Sequence, residues 1–361
     1  MSTVSATNVE WSDCWLEPSS LTPELTAQVK AATGGMVLAW ATRLAPVPWV
    51  VRSFAHCAEA KIAHMPLRLY DLIGFAVSQD NSCRYCYGAT RTILRVLGYK
   101  EEMIDRIERD AQLAELSPVE VAGLRFARKV SHANPKPSAA EIAALEKAGL
   151  TRAAVSEIAA CAAMCGYNNR LSTMFALPPE PFEHVLDNPF MRLARPLLAK
   201  KFKTKRSPPF PLPASNDGPF AEVVRVLDGC RAAWVLRQMM DEALASPVLA
   251  RRTKLLMIAV IARALTCDYV EEETRRELQA HGLGSGEVTQ ILTNLGSPQL
   301  DAREALLIPF ARETVRFRPL DLQARTRELR ASLTDEEIIE AAGTAAAANT
   351  LTRLSVLLQA C

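Results

Sequence analysis

Two cysteines three residues apart, in the run Asn81-Ser82-Cys83-Arg84-Tyr85-Cys86, are the residues of this chain best placed for chemistry. They follow a long apolar stretch, and the sequence after them has helical spacing. Asn81 and Ser82 are of the types that cap a helix start, which predicts a helix opening around them. Residues three and four apart share a helical face, so Cys83, Cys86, Tyr87 and Thr90 are expected to line one side of its first two turns. Thiols in that arrangement can close into a disulfide, and the free N–H groups of a helix start favour the thiolate. Tyr85 is a further hydrogen-bonding candidate. Half of a zinc site is the competing reading, but four ligands are needed and no second Cys-x-x-Cys or histidine pair completes it. Cys161 and Cys165, one turn apart, read as small-residue packing. The five histidines are scattered, with His64 alone near enough in sequence to Asp71 to fold close to the pair.

The elements that must position these residues are helices. Glu102 to Ala127 and Ala139 to Met174 carry apolar residues at three- and four-residue spacing, rich in Ala and Leu, and almost nothing alternates as a strand does. The expected class is all-α. The chain has 361 residues with 49% apolar and 23% charged side chains, the balance of a globular protein with room for two domains. A net charge of +2 gives no global case for nucleic acid or an anionic membrane. The longest apolar candidate, Leu255 to Leu265, is too short for a membrane span and contains Arg263. Met1 to Ala6 lacks the basic start and apolar core of a secretory leader. Nine cysteines, an odd number without a framework pattern, point to a reducing cytoplasm.

Ten of the 22 prolines fall between Pro178 and Pro219, in a segment that also holds the basic run Lys200 to Arg206. It reads as an exposed connector. On either side of it the sequence repeats at an offset of 184: Cys83 with Cys267, Tyr85 with Tyr269, Thr90-Arg91 with Thr274-Arg275, Gly98 with Gly282, Phe126-Ala127-Arg128 with Phe310-Ala311-Arg312. After a one-residue deletion, Glu157 pairs with Glu340 and Arg170-Leu171-Ser172 with Arg353-Leu354-Ser355. The organisation implied is a first repeat over 1–176, a Pro-rich basic linker over 177–218, and a second, degenerate repeat over 219–361. The recurrence of Arg170 as Arg353 suggests a structural ion pair. Cys86 corresponds to Val270 and Asp71 to Leu255, so chemistry is expected in the first copy only. A lone Asp71 among apolar neighbours is costly to bury without a purpose.

Leu69-Tyr70-Asp71-Leu72, followed by Val77-Ser78-Gln79-x-Asn81-x-Cys83-x-x-Cys86, resembles the alkylhydroperoxidase D-like and carboxymuconolactone decarboxylase-like family. The resemblance covers about Ala60 to Phe175, and more weakly Val248 to Leu358. Redox members of that family carry an acid twelve positions before the first cysteine, here Asp71, and a histidine four after the second, here Thr90. The resemblance implies a helical bundle whose helical hairpin presents the thiols. It implies a peroxidase-like, antioxidant oxidoreductase that uses Cys83 and Cys86 without cofactor or metal, and a homo-oligomer, expected here as a dimer or trimer. The partners would be a small hydroperoxide and a thiol or protein-dithiol reductant, with no nucleic acid and no membrane. Because a threonine hydroxyl is not a base near neutral pH, activity below that of histidine-bearing relatives is expected. The competing function is a non-redox lyase or isomerase of the same superfamily, or a scaffold with vestigial thiols.

Overall fold

Many helix starts of this chain are fixed by reciprocal caps. In Ser117–Glu120, Ser138–Glu141, Asp301–Glu304 and Thr334–Glu337, each cap side chain accepts from a backbone N–H three residues on, and each Glu returns the bond. A computed structural model describes residues 14–110, 115–213, 215 and 217–360. Met1 to Ala6, Ala111 to Ala114 and Cys361 lie outside the described residues. The fold is all-α. Its first half runs α1 (Pro23–Ala32), α2 (Ala39–Arg43), α3 (Pro48–Ala58), α4 (Leu67–Asp80), α5 (Arg84–Leu97), α6 (Glu101–Arg109), α7 (Pro118–His132), α8 (Ala139–Lys147) and α9 (Arg152–Met174). A 3₁₀ stretch over Pro181–Asp187 leads to α10 (Pro189–Leu193) and α11 (Arg195–Phe202). The second half runs α12 (Ala221–Arg225), α13 (Arg231–Ala245), α14 (Arg251–Ala264), α15 (Asp268–Ala280), α16 (Ser285–Asn294), α17 (Ala302–Glu313), α18 (Pro319–Glu328) and α19 (Asp335–Leu354). The strand content among the described residues is one parallel pair, β1 (Lys61–Ile62) with β2 (Lys205–Arg206).

The two longest helices, α9 and α19, pack against each other at the centre and are buried nearly all round. Their Ala-rich sequences explain this, since small side chains let helices approach closely and leave few polar groups to satisfy. At Gly343 a Cβ would collide with Trp49 and Val50 of α3. Helices α4 and α14 each lie against one of the central pair, with α5 and α15 turning back over them.

Among the described residues neither Arg170 nor Arg353 forms the expected ion pair with a carboxylate. Each is buried and donates to a backbone carbonyl of the other half, Arg170 Nε to Thr314 at 3.1 Å and Arg353 Nε to Ser131 at 2.8 Å. These carbonyls lie at the ends of α17 and α7, where helices leave acceptors unmatched. Burial depresses both guanidinium pKa values, that of Arg353 to about 9. A cation held this way locks the halves together without a carboxylate.

The connector also departs from a free linker. Much of 177–218 is exposed, yet the 3₁₀ stretch and α11 lie on α5. Glu183 sits so close to Gly88 that any Cβ there would strike its carboxylate. Lys205 and Arg206 complete the small sheet with Lys61 and Ile62.

Candidate active site

The turn between α4 and α5 is tighter than a simple cap. Asn81 ends α4, Ser82 takes a left-handed φ of 49°, and Cys83 itself caps α5. Cys83 Sγ accepts the Cys86 backbone N–H at 3.4 Å. Asn81, read from sequence as a possible cap, instead points inward: its Nδ2 donates to Asn169 Oδ1 at 2.8 Å. Asn169 in turn donates to Ser78 Oγ at 3.2 Å. A buried amide chain of this kind fixes where α9 meets the turn, because each member would be costly to leave unpaired.

Cys86 Sγ lies 3.6 Å from Ser172 Oγ on α9. Burial opposes ionisation of Cys86, but hydrogen bonds from Cys83, Ser172 and Asn169 outweigh it and hold its pKa below the ordinary thiol value. Burial, then the hydrogen bond to Cys86 and its charge, push Cys83 well above that value. Within the pair, the surroundings favour a thiolate at Cys86 over one at Cys83. Both cysteines are free thiols here.

Cys86 opens onto a cavity of about 300 Å³, and Cys83 does not line it. From the α4 side the cavity is lined by Asp71 and Gly74, and from α5 by Thr90 and Ile93. Asp71 is half-buried and accepts from Tyr99 at 3.2 Å and from Thr204 Oγ1 at 2.5 Å. Burial raises its pKa, with those two bonds pulling the other way. Thr90 lines the cavity too, but its hydroxyl donates to the carbonyls of Cys86 and Tyr87 at 2.7 and 3.2 Å. Tyr85 also lines it, and its hydroxyl donates to buried Glu180 at 2.8 Å. Tyr87 turns away from this group. It stacks on Phe75 and donates to Glu108 at 2.5 Å, with its pKa pushed up to about 12 by burial and that carboxylate. The structure therefore brings Cys86, Asp71, Thr90 and Tyr85 to one cavity, seats Cys83 directly behind Cys86, and leaves Tyr87 outside.

Cys161 and Cys165 are not mere filler. Both line the same cavity, as does Cys57, and Cys165 is only half-buried. Cys161 and Cys165 are in hydrogen-bond contact, and that contact together with burial pushes the Cys161 thiol well above its ordinary pKa. His64 does not approach the thiols; its Nε2 meets the Gly229 carbonyl at 3.1 Å.

Sequence reasoning missed the far walls. Leu38 and Trp40 come from before α3, and Phe182, Phe202 and Thr204 come from the connector. Ser172 and Asn169 were visible as polar residues on an otherwise Ala-rich helix, a pattern that marks buried polar partners.

No family model matches the chain, and no curated protein does. Among solved structures, it is similar to one described as the alkylhydroperoxidase AhpD core of an uncharacterized peroxidase-related protein from Ralstonia eutropha. The identity is 26%, over 48% of this chain and 96% of that one, with a TM-score of 0.42.

Proposed function

We propose that this protein is a thiol-dependent peroxidase in which Cys86 attacks and Cys83 resolves. The observation that carries this reading is the polarised pair: Cys86 faces the cavity with a depressed pKa, and Cys83 lies within hydrogen-bonding distance behind it. The Cys86 thiolate attacks the terminal oxygen of ROOH. The O–O bond breaks, Cys86 becomes a sulfenic acid, and the alkoxide leaves as ROH after taking a proton. Asp71, which lines the same cavity, is assigned as the group that supplies that proton. The Cys83 sulfur then displaces hydroxide from Cys86, forming the disulfide and releasing water. Two electrons from a thiol or dithiol reductant restore both thiols. Tyr85 and Thr90 shape the cavity wall, and Tyr87 holds α5 against α6.

In the same reading, 1–176 and 219–361 are copies of one unit joined by 177–218, and the second copy has no peroxidatic thiol. Support comes from paired backbone features 184 residues apart: Ser82 and Thr266 have φ of 49° and 50°, and Gly98 and Gly282 have φ of 98° and 91°.

Treatment with one equivalent of an alkyl hydroperoxide, followed by peptide mapping, tests the chemistry. The wild type should lose the Cys83 and Cys86 thiols together. A Cys83→Ser variant should accumulate a sulfenic acid at Cys86 that a carbon-acid probe traps. Free thiols at both positions after oxidation would overturn the reading.

A further inference from the structure

The cavity is larger and more apolar than hydrogen peroxide requires, and its mouth is charged. Leu38, Trp40, Phe54, Ile93, Phe182 and Phe202 supply apolar wall around Cys86. At about 300 Å³ it falls at the lower end of small-molecule pockets. The connector brings Lys201, Lys203 and Lys205 to the rim, where all three are exposed. None of the three has a carboxylate within ion-pair range among the described residues. The acids nearby are otherwise engaged. Glu59 pairs with Lys61 and Arg231, Glu180 is taken by Tyr85 and the Ala39 N–H, and Asp71 accepts from Tyr99 and Thr204. A chain of net charge +2 thus gathers three unmatched cations around the entrance to one apolar site.

We infer that this cavity takes an amphipathic anion: an apolar hydrocarbon tail seated against the aromatic and aliphatic wall, with its carboxylate held at the lysine rim. Resting on the peroxidase reading, the reducible substrate is a long-chain carboxylate that bears its hydroperoxide on the tail, delivered to Cys86 tail first. The division of labour is physical. Tail burial supplies affinity, and the exposed lysines supply selection and steering without the cost of burying a charge. The connector is then part of the binding site, because one element carries both the lysines and the Phe182–Phe202 contact.

Two measurements separate this inference from the peroxidase reading. Binding of dodecanoate, which cannot be reduced, is followed by calorimetry at low salt against dodecanol. Dodecanoate should bind about tenfold tighter, and the Lys201→Ala/Lys203→Ala/Lys205→Ala protein should lose that preference together with its salt dependence. Gly74→Ile, which intrudes where α4 faces Thr90, should weaken both ligands and so locate them in the cavity. Turnover of a fatty-acid hydroperoxide is then compared with that of its methyl ester. The kcat/KM ratio should favour the acid by about tenfold and fall toward one in the triple variant. Equal binding of dodecanoate and dodecanol, or a triple variant that still discriminates, would overturn the inference. So would sedimentation with phosphatidylglycerol vesicles in the absence of dodecanoate binding, which would assign the basic segment to a membrane surface. Charge-selective dodecanoate binding with no turnover of any peroxide would sink the peroxidase reading and leave the anion site standing.

Discussion

At the α4–α5 corner, Ser82 turns left-handed, Cys83 caps the next helix, and Gly98 ends it. At the α14–α15 corner, Thr266 turns left-handed, Cys267 precedes Asp268 at the cap, and Gly282 follows the helix end. What the two backbones carry is different. The first has Asp71, Gly74 and Cys86 around a cavity; the positions 184 residues on are Leu255, Ile258 and Val270, all buried. Burying such side chains is worth about 1.5–3 kcal/mol each, so at these three positions the second corner has apolar filling that the first has given up. The lesson is that the corner needs neither a second thiol three residues on nor an acid at the Asp71 position in order to fold. Where those groups occur, they answer to something other than packing.

The acids facing the two corners diverge in the same way. Glu157 on α9 accepts the backbone N–H groups of Ala63, His64 and Met65, each at 2.7 Å. Glu340 on α19 instead meets the buried Lys254 at 3.2 Å and accepts from Trp49 Nε1 at 2.5 Å. One acid closes a loop beside the cavity. The other neutralises a buried cation in the second half.

The comparison breaks most sharply at the sulfur atoms. Cys86→Ser should abolish peroxide consumption, whereas Cys267→Ser, whose sulfur sits 2.9 Å from Ser355 Oγ at the second corner, should leave it within about twofold. In the wild type, alkylation of Cys86 should rise with pH as thiolate forms. It should level off below the ordinary thiol pKa, because the folded protein holds the Cys86 value down. A stopped assay in which Cys267→Ser is the dead variant would reverse the assignment of the two halves.

Stability should divide the halves next. Glu340→Gln removes the charge opposite buried Lys254 and should cost about 3–5 kcal/mol in urea unfolding. Glu157→Gln keeps one carbonyl acceptor for the loop amides and should cost less, about 1–3 kcal/mol. Equal losses would mean that Lys254 is compensated from elsewhere, for example by the Ser246 carbonyl it already reaches at 2.6 Å.

Much of this was legible in the residues. The helical class follows from spacing and Ala content, and the thiol pair follows from its position after an apolar run. The cap was misjudged by a residue or two because Ser82 spends itself on a left-handed turn, which propensity alone does not reveal. The cavity was not legible at all. Asp71 meets Thr204 across 133 positions and Tyr85 meets Glu180 across 95, and a segment rich in proline and lysine looks like a tether until its far side is seen to set half-buried Phe182 and Phe202 against the site. Local pattern sets the helices; only the packing of distant segments makes a pocket.

Asp71→Leu carries the comparison into chemistry, since it installs at the first corner what the second already holds as Leu255. Stability should fall by no more than about 1–3 kcal/mol, because Tyr99 and Thr204 lose their acceptor while an acid that burial disfavours is removed. Peroxide turnover should fall by about 10²-fold with Cys86 alkylation little changed, the mark of a lost proton donor rather than a lost nucleophile. Unchanged turnover would make Asp71 an anchor for Tyr99 and Thr204 and nothing more.

Thr90 should give the smallest effect. Its hydroxyl donates to the carbonyl of Cys86 at 2.7 Å, and Thr274 does the same to Val270 at 2.6 Å. Both hydroxyls are spent on the helix four residues back, in a half that has the thiol and in one that lacks it. A bond that persists without the chemistry belongs to the helix. Thr90→Val keeps the β-branched shape and removes only that donor, whose carbonyl acceptor already has a helical partner. It should therefore change turnover by less than about twofold and stability by less than about 1 kcal/mol. The same substitution at Thr274 should match it in urea unfolding. A loss of more than tenfold in turnover at Thr90 alone would show that its hydroxyl leaves the Cys86 carbonyl during the reaction and hands a proton between Asp71 and the thiol. The two corners would then differ in motion as well as in what fills them.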